Sequence, residues 1–407
     1  MIRTKHRFGT LSLESASGVL WFLLILLLSG SPYQTLPSLR PLMDLLRYIG
    51  GSLAALSLIL HGTTRLNPQT KFFLASVVMI FSTAIGHLEI TSQFYWKQFC
   101  VILIAFSVAK RYGLQKIVRS FVSAMFIISV LSIVGYILLN TTSLLDSLPH
   151  AVNVNYKEYA IGVFFNYLID IPQRNCGIFW EPGIFATYLI LALSMEIIYP
   201  SSAAKHYWRY VVFFAAIVTT TSTAGYAMFL ACVFLFFVRI TERSEAPLLI
   251  RFFPTLAFIL ALFFVLNLDT IIQASPLVNY HIFEKLLSDN LVDASRILVV
   301  PHNIQLFLRE PIFGAGIKTV SDNLIPNADV SSITYMMSIF GLLGLVLPIG
   351  FFRGIFFRKE IGFYAKLTLF AIIIAILSKE PHHNMPFTWC LFFAFLEQEN
   401  CPTRRST

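Results

Sequence analysis

CVILIAFSVAKRYGLQKIVRSFVSAMFIISVLSIVGYILL, residues 100–139, decides the fold class. Two apolar runs, centred near Ile104 and Ile128, flank a short stretch holding Lys110, Arg111, Lys116 and Arg119. Each run approaches the roughly 17–25 apolar residues that a transmembrane helix needs. A short basic stretch between two such runs belongs on the cytoplasmic side of a bilayer. Working outward, further runs centre near Leu24, Leu58, Met79, Leu191, Phe214, Leu230, Leu260, Leu343, Ile373 and Leu391. The pattern predicts an all-α polytopic membrane protein of about 12 transmembrane helices.

Composition points the same way. Hydrophobic residues make up 57% of the 407 and charged residues 13%, with a mean hydropathy of +0.73. Soluble domains carry about a quarter charged residues, so this chain lacks the polar side chains to cover a globular surface. The net charge of +9 would point to nucleic acid on a soluble protein, but basic residues gather in the cytoplasmic loops of membrane proteins and explain it here. Cys100, Cys176, Cys232, Cys390 and Cys401 are scattered without metal-ligand spacing; most lie in or beside apolar segments, where a free Cys behaves as a small hydrophobe. The first run follows Arg3, Lys5 and Arg7 like a signal peptide, but with so many spans behind it we read it as a retained anchor.

Orientation follows from the remaining Lys and Arg. With the N-terminus inside, the short cytoplasmic segments hold the N-terminal three, Arg65, Lys71, the four between Ile104 and Ile128, Lys205, Arg209, Arg239, Arg243, Arg251, Arg353, Arg358, Lys359, Lys366, Arg404 and Arg405, which is 20 of the 30. The opposite orientation would place them outside, against the positive-inside bias. Both termini are therefore expected in the cytoplasm, with residues 1–407 forming a single membrane domain. Two long loops, about 140–176 and 269–331, fall outside.

No Gly-rich phosphate loop, dinucleotide fingerprint or zinc-protease helix occurs. The outer loops carry the informative strings. The first runs Arg174-Asn175-Cys176-Gly177-Ile178-Phe179-Trp180-Glu181-Pro182-Gly183 into a span. Pro182 suits a first helical turn, and free N–H groups there beside an arginine fork favour a phosphate head group. The plainer reading makes Arg174 an interfacial snorkelling residue and Glu181 an N-terminal helix charge. The second string holds Ser295, Arg296 and Ile297, then Arg309-Glu310-Pro311-Ile312-Phe313-Gly314-Ala315-Gly316. Residues 294–309 are expected to form an interfacial helix that Pro301 kinks or restarts. Asp329, Ser331 and Ser332 open the next span, where any of them would serve as N-cap. Thr219 to Gly225 reads as a turn or polar junction between the Phe214 and Leu230 spans.

Together these strings resemble the O-antigen polymerase and ligase superfamily of bacterial envelope proteins. Arg174, Gly177, Phe179, Glu181 and Pro182 match one motif; Ser295, Arg296, Pro311, Gly314 and Gly316 a second; Gly341, Leu342 and Gly344 a third; Thr220, Ser222 and Gly225 a fourth. The matches lie between Arg174 and Gly344, less than half the chain. The resemblance implies a glycosyltransferase of the bacterial inner membrane whose site faces the periplasm. Its substrate would be an oligosaccharide repeat unit on undecaprenyl diphosphate, transferred onto the non-reducing end of a new unit. Membrane lipid and a chain-length regulator protein are the implied partners, with no nucleic acid. Arg174 and Arg296 are the implied catalytic residues, joined by Asp329 on its position alone, and Arg309, Glu181 and His302 the substrate-binding ones. The arginines would stabilise charge on the diphosphate. Asp329 leads the candidates for general base, ahead of His302, Asp293, Glu181, His382 and His383; the plain reading of His382 and His383 is an ordinary polar loop. No metal and no cofactor are expected. Ligases of this superfamily, and some of its polymerases, place His-Asn at the start of the span after the long loop, where this chain has Asp329-Val330-Ser331; its His302-Asn303 falls on the loop helix. That departure disfavours the ligase alternative. A 12-span transporter is the other alternative, disfavoured because transporters bind near the midplane, often through charges within spans.

Overall fold

A computed structural model describes residues 21–22, 24–61, 66–143, 147–154, 156–162, 165–170, 174–200, 207–243, 291–323 and 331–397, without the side chains of 61, 243 and 291–298. Helix α1 covers Arg40–His61, α2 Pro68–Gly86 and α3 Gln93–Thr141. Asn67 starts α2 by accepting a hydrogen bond from the Thr70 N–H (2.9 Å), with Pro68 next in line. The long α3 is two helices joined at Gly113, whose φ of 67° and ψ of 165° lie in a region essentially reserved for glycine. The Leu114 N–H beyond the break donates to Glu397 Oε2 (2.9 Å).

The loop after α3 departs from the all-α expectation. It folds into an antiparallel meander of β1 (His150–Val152), β2 (Glu158–Ile161) and β3 (Asn166–Leu168). Neighbouring residues on a strand face opposite sides, and both sides are covered: Tyr159 and Leu168 pack with Cys176, while Ala160 and Tyr167 pack with Leu139. Strands of three or four residues vanish inside the long hydropathy windows that reveal membrane helices.

Then follow α4 (Pro182–Ile198), α5 (Tyr207–Thr220), α6 (Thr223–Arg243), α7 (Leu291–Arg309), α8 (Gly316–Asp322), α9 (Ser332–Phe340), α10 (Val346–Phe356), α11 (Phe363–Lys379) and α12 (Pro386–Phe395). A 3-10 turn, Gly341–Leu345, joins α9 to α10, and another, His382–Asn384, joins α11 to α12. Among the described residues five stretches are long and apolar enough to cross a membrane: Arg40–Leu60, Pro68–Gly86, Gln93–Thr141, Thr223–Glu242 and Ser332–Phe356. The protein is thus mostly helical and membrane-embedded. The expected span centres fall on helical residues, except Leu260, which lies outside the described residues; the Leu58 helix is centred closer to Gly50.

Helix α4 is apolar on every side and buried along its whole length, as a helix at the centre of a bundle must be. The equally buried α12 lies along α3, with Phe121 and Phe387 stacked at 4.1 Å. Around α4 the helix termini sort to two ends. At one end Arg209 of α5 pairs with Glu196 (3.1 Å), Arg239 of α6 donates to the Ile198 and Glu360 carbonyls (both 3.4 Å), and the Ala365 N–H of α11 donates to Glu242 (3.2 Å). At the other end meet the start of α4, the α5–α6 junction, the end of α11 and the start of α9.

Helix α7 runs on through Pro301, contrary to the expected break. Its packed side carries Val299, Asn303 and Leu306, whereas Pro301 is exposed; there a lost amide bond and a slight bend cost least.

Candidate functional site

The first motif is held by the small sheet. The Val154 N–H donates to the Thr35 carbonyl (3.0 Å) and the Trp180 N–H to the Gly30 carbonyl (2.9 Å), tying the loop to the bundle. The Tyr159 hydroxyl donates to the Trp180 carbonyl (2.8 Å); burial, and next the Glu181 carboxylate, hold its pKa well above the ordinary phenol value. Glu181 takes the N-cap position of α4 and Pro182 the first helical one, as anticipated. The Glu181 side chain does not cap the helix; it receives Lys157 Nζ at 2.6 Å.

Arg174 and Asn175 dock on the end of α5. Arg174 Nε donates to the Thr220 carbonyl (3.2 Å), the Asn175 N–H to the Thr219 carbonyl (2.9 Å) and Asn175 Nδ2 to Thr219 Oγ1 (3.0 Å). The last carbonyls of a helix have no partner within it, so these contacts terminate α5 and fix a cation at the α5–α6 junction. The chain turns at Thr221 (φ 45°), and Ser222 Oγ then accepts from the Gly225 N–H (3.3 Å) at the start of α6.

A second cation reaches the same junction. Lys379, the last residue of α11, donates to Ser222 Oγ (3.1 Å) and pairs with Glu380 (3.4 Å). A Cβ on Gly183 of α4 would collide with the Glu380 carboxylate and lie 3.1 Å from Lys379 Nζ; glycine there lets the pair sit over the first turn of α4. Ser332, at the start of α9, donates to the Glu380 carbonyl (2.6 Å) and accepts from the His383 N–H (3.1 Å). Because a carbonyl only accepts, the Ser332 proton is committed. His383 Nδ1, 3.2 Å away, must then be the donor, and Nε2 carries the lone pair.

His382 is fixed by the same logic. Thr187 donates to the Ile184 carbonyl (2.8 Å), so His382 Nε2 donates to Thr187 (3.1 Å) and Nδ1 accepts from Thr388 (3.0 Å). Burial drives both imidazoles down to about 3, with His383 and Lys379 adding to the effect on His382. The pair is therefore not the ordinary polar loop expected from sequence. It is a buried, neutral connection between α11 and α12.

The second and third motifs turn out to be one packing unit. The Leu342 N–H donates to the Pro311 carbonyl (2.7 Å) and the Ala315 N–H to the Ser338 carbonyl (2.8 Å). A Cβ on Gly314 would strike the Ile339 carbonyl, and one on Gly341 would come within 2.5 Å of the Ile312 carbonyl. Glu89 then caps α8, accepting from the Ile317 and Lys318 N–H groups (2.9 and 3.0 Å). These glycines let backbone meet backbone.

The remaining expected residues are distributed as follows. Arg296 lies on α7 with its side chain outside the described part, as does Asp293; Asp329 is wholly outside the described residues. Ser331 takes the N-cap position of α9 without a side-chain cap bond. Arg309 is exposed at the end of α7, beside Glu310, whose carboxylate is 3.7 Å from His87. Thirteen positions of helix separate Arg296 from Arg309, about 20 Å along the axis of α7 at 1.5 Å per residue. His302 Nε2 is buried with no hydrogen-bond partner among the described residues, and Asn303 donates to Thr334 (3.3 Å), two residues after Ser332.

Sequence reasoning missed Lys379 and Glu380. Their signal was present: two charges close the Ile373 run and a proline follows. Among the described residues no group of three or more His, Cys, Asp or Glu side chains is placed to hold a metal. A cavity of about 600 Å³ opens at the opposite end, lined by Arg119, Arg239, Glu242 and Glu360 among others; its Arg239 and Glu242 pair at 3.2 Å. Compared with protein-family models, with curated proteins and with solved structures, the chain matches none.

Proposed function

We propose that this protein is a polysaccharide polymerase of the O-antigen type, joining repeat units carried on undecaprenyl diphosphate. In this reading the chain makes about 12 spans with both termini cytoplasmic, and the end bearing Arg174 and Lys379 faces the periplasm. The observation that carries the proposal is the convergence of Arg174, the start of α4 and Lys379 on the α5–α6 junction.

The reaction needs little beyond such a place. The donor already bears a diphosphate leaving group, so no nucleotide is required. As the bond from sugar to phosphate breaks, charge grows on the diphosphate, and fixed cations beside a low-dielectric lipid phase stabilise it. Arginine suits the role because it stays protonated and presents a rigid fork to phosphate oxygens. Arg296, on α7, is the second arginine of the proposal.

Purified protein supplied with lipid-linked repeat units is expected to build a ladder of longer glycans without ATP. Arg174→Ala and Arg296→Ala should each abolish the ladder while leaving expression intact. A normal ladder from both variants would refute the site. Single units capped onto a lipid A core would identify a ligase, and mere passage across vesicles a transporter.

A further inference from the structure

We propose that Lys379 and Glu380 work as an exchange pair in this transfer: Lys379 leaves Glu380 for the donor diphosphate, and the released carboxylate takes the proton of the acceptor hydroxyl. The inference rests on the polymerase reading and supplies a base within the described residues, where Asp329 is not found.

The pair is built unlike a surface contact. A lysine ending a membrane helix ordinarily extends its ammonium towards water. Lys379 instead turns inward, to Ser222 and to a carboxylate 3.4 Å away that keeps only 3% of its side-chain surface exposed. Taking two charges out of water carries a desolvation penalty that their attraction alone seldom recovers. The backbone at Glu380 is held by Ser332, and the absence of a side chain at Gly183 makes room for the pair over α4. Lys379 keeps 17% of its side chain open against 3% for Glu380, so the lysine is the more accessible member of the pair. The charged and titratable groups of the described elements that gather here are Arg174, Glu181 with its partner Lys157, Lys379, His382 and His383.

The chemistry balances. The acceptor oxygen bonds to the anomeric carbon of the donor as the bond from that carbon to the diphosphate oxygen breaks. The electron pair leaves with the diphosphate, which gains negative charge next to Lys379 and Arg174. The acceptor proton moves to Glu380 and then to water. A carboxylate that loses its cationic neighbour binds a proton more tightly, so donor binding itself strengthens the base. Ser332, which holds the Glu380 carbonyl and the His383 N–H, is a positioning residue.

The test is steady-state polymerisation by the full-length protein in vesicles, with undecaprenyl-diphosphate-linked repeat units, from about pH 5 to 9. General-base catalysis contributes typically 10²–10⁴-fold. Glu380→Gln is therefore expected to lower kcat about a hundredfold or more, leave the donor KM nearly unchanged and remove the fall in rate at low pH. Lys379→Gln should raise the donor KM at least about tenfold and move that fall in kcat/KM to higher pH, because the carboxylate has lost its cation. Lys379→Arg should recover most of the KM. The proposal is overturned if Glu380→Gln stays within about threefold of wild type with the same pH profile, or if Lys379→Gln moves neither KM nor profile. Arg174→Ala inactive in the same assay would then leave the polymerase reading standing alone. No ladder from the wild-type protein would sink both. Should Glu380→Gln fail to fold, Glu380→Asp replaces it: a reduced kcat at unchanged donor KM supports the exchange, and a wild-type kcat overturns it.

Discussion

Single residues divide into those that place charge and those that permit contact. Arg174 does the first while also closing α5, so its removal is expected to act on activity more than on folding; Asn175 still holds the same helix end through two bonds. Gly314 does the second. Its φ of 74° is strained for any L side chain, and the Ile339 carbonyl occupies the place of a Cβ. Left-handed strain costs on the order of 1–3 kcal/mol, and overlap with backbone adds to it. Gly314→Ala should therefore lower stability by more than about 2 kcal/mol in thermal unfolding in detergent. Gly86→Ala is the control, since nothing lies within 4 Å of its Cβ; its midpoint should stay level or rise slightly. Equal midpoints for the two variants would contradict the interlock of the two motifs.

At the scale of elements, junctions carry more information than helix centres. The α5–α6 junction receives Arg174 and Lys379 from parts of the chain about 200 residues apart. The break within α3 is made by Gly113 and sealed by Glu397, whose carboxylate accepts from the Leu114 N–H and would lie 3.0 Å from a Cβ at 113. Gly113→Ala should cost roughly 1–3 kcal/mol for the forced backbone, and Glu397→Gln about 1 kcal/mol for the weakened cap. The two groups touch, so the double variant should lose less than the sum. Strict additivity in thermal unfolding would mean that the carboxylate and the break act independently.

For the whole molecule, the proposed orientation is open to a direct measurement. Cys100, Cys176, Cys232 and Cys390 are buried, so with Cys401→Ser the chain offers a quiet background for thiol labelling. Tyr156, 90% exposed on the sheet loop, and Lys359, exposed between α10 and α11, mark the two ends. A membrane-impermeant thiol reagent should label Tyr156→Cys in intact spheroplasts and Lys359→Cys only after permeabilisation; the reverse pattern would invert the topology. By itself the sequence determined the helical, membrane-embedded class, the proline start of α4 and the polar junction before α6. Those features are local: hydropathy sums over about 20 neighbouring residues, and a proline or a run of hydroxyls acts within one turn. It was blind to the sheet, whose strands are shorter than any such window. It also separated two glycine motifs that pack as one. Only the tertiary structure brought Lys379 and Glu380 over Gly183 and beside the junction that Arg174 caps. That proximity is a contact between distant segments, set by which helix faces bury each other, and no local pattern of residues encodes it.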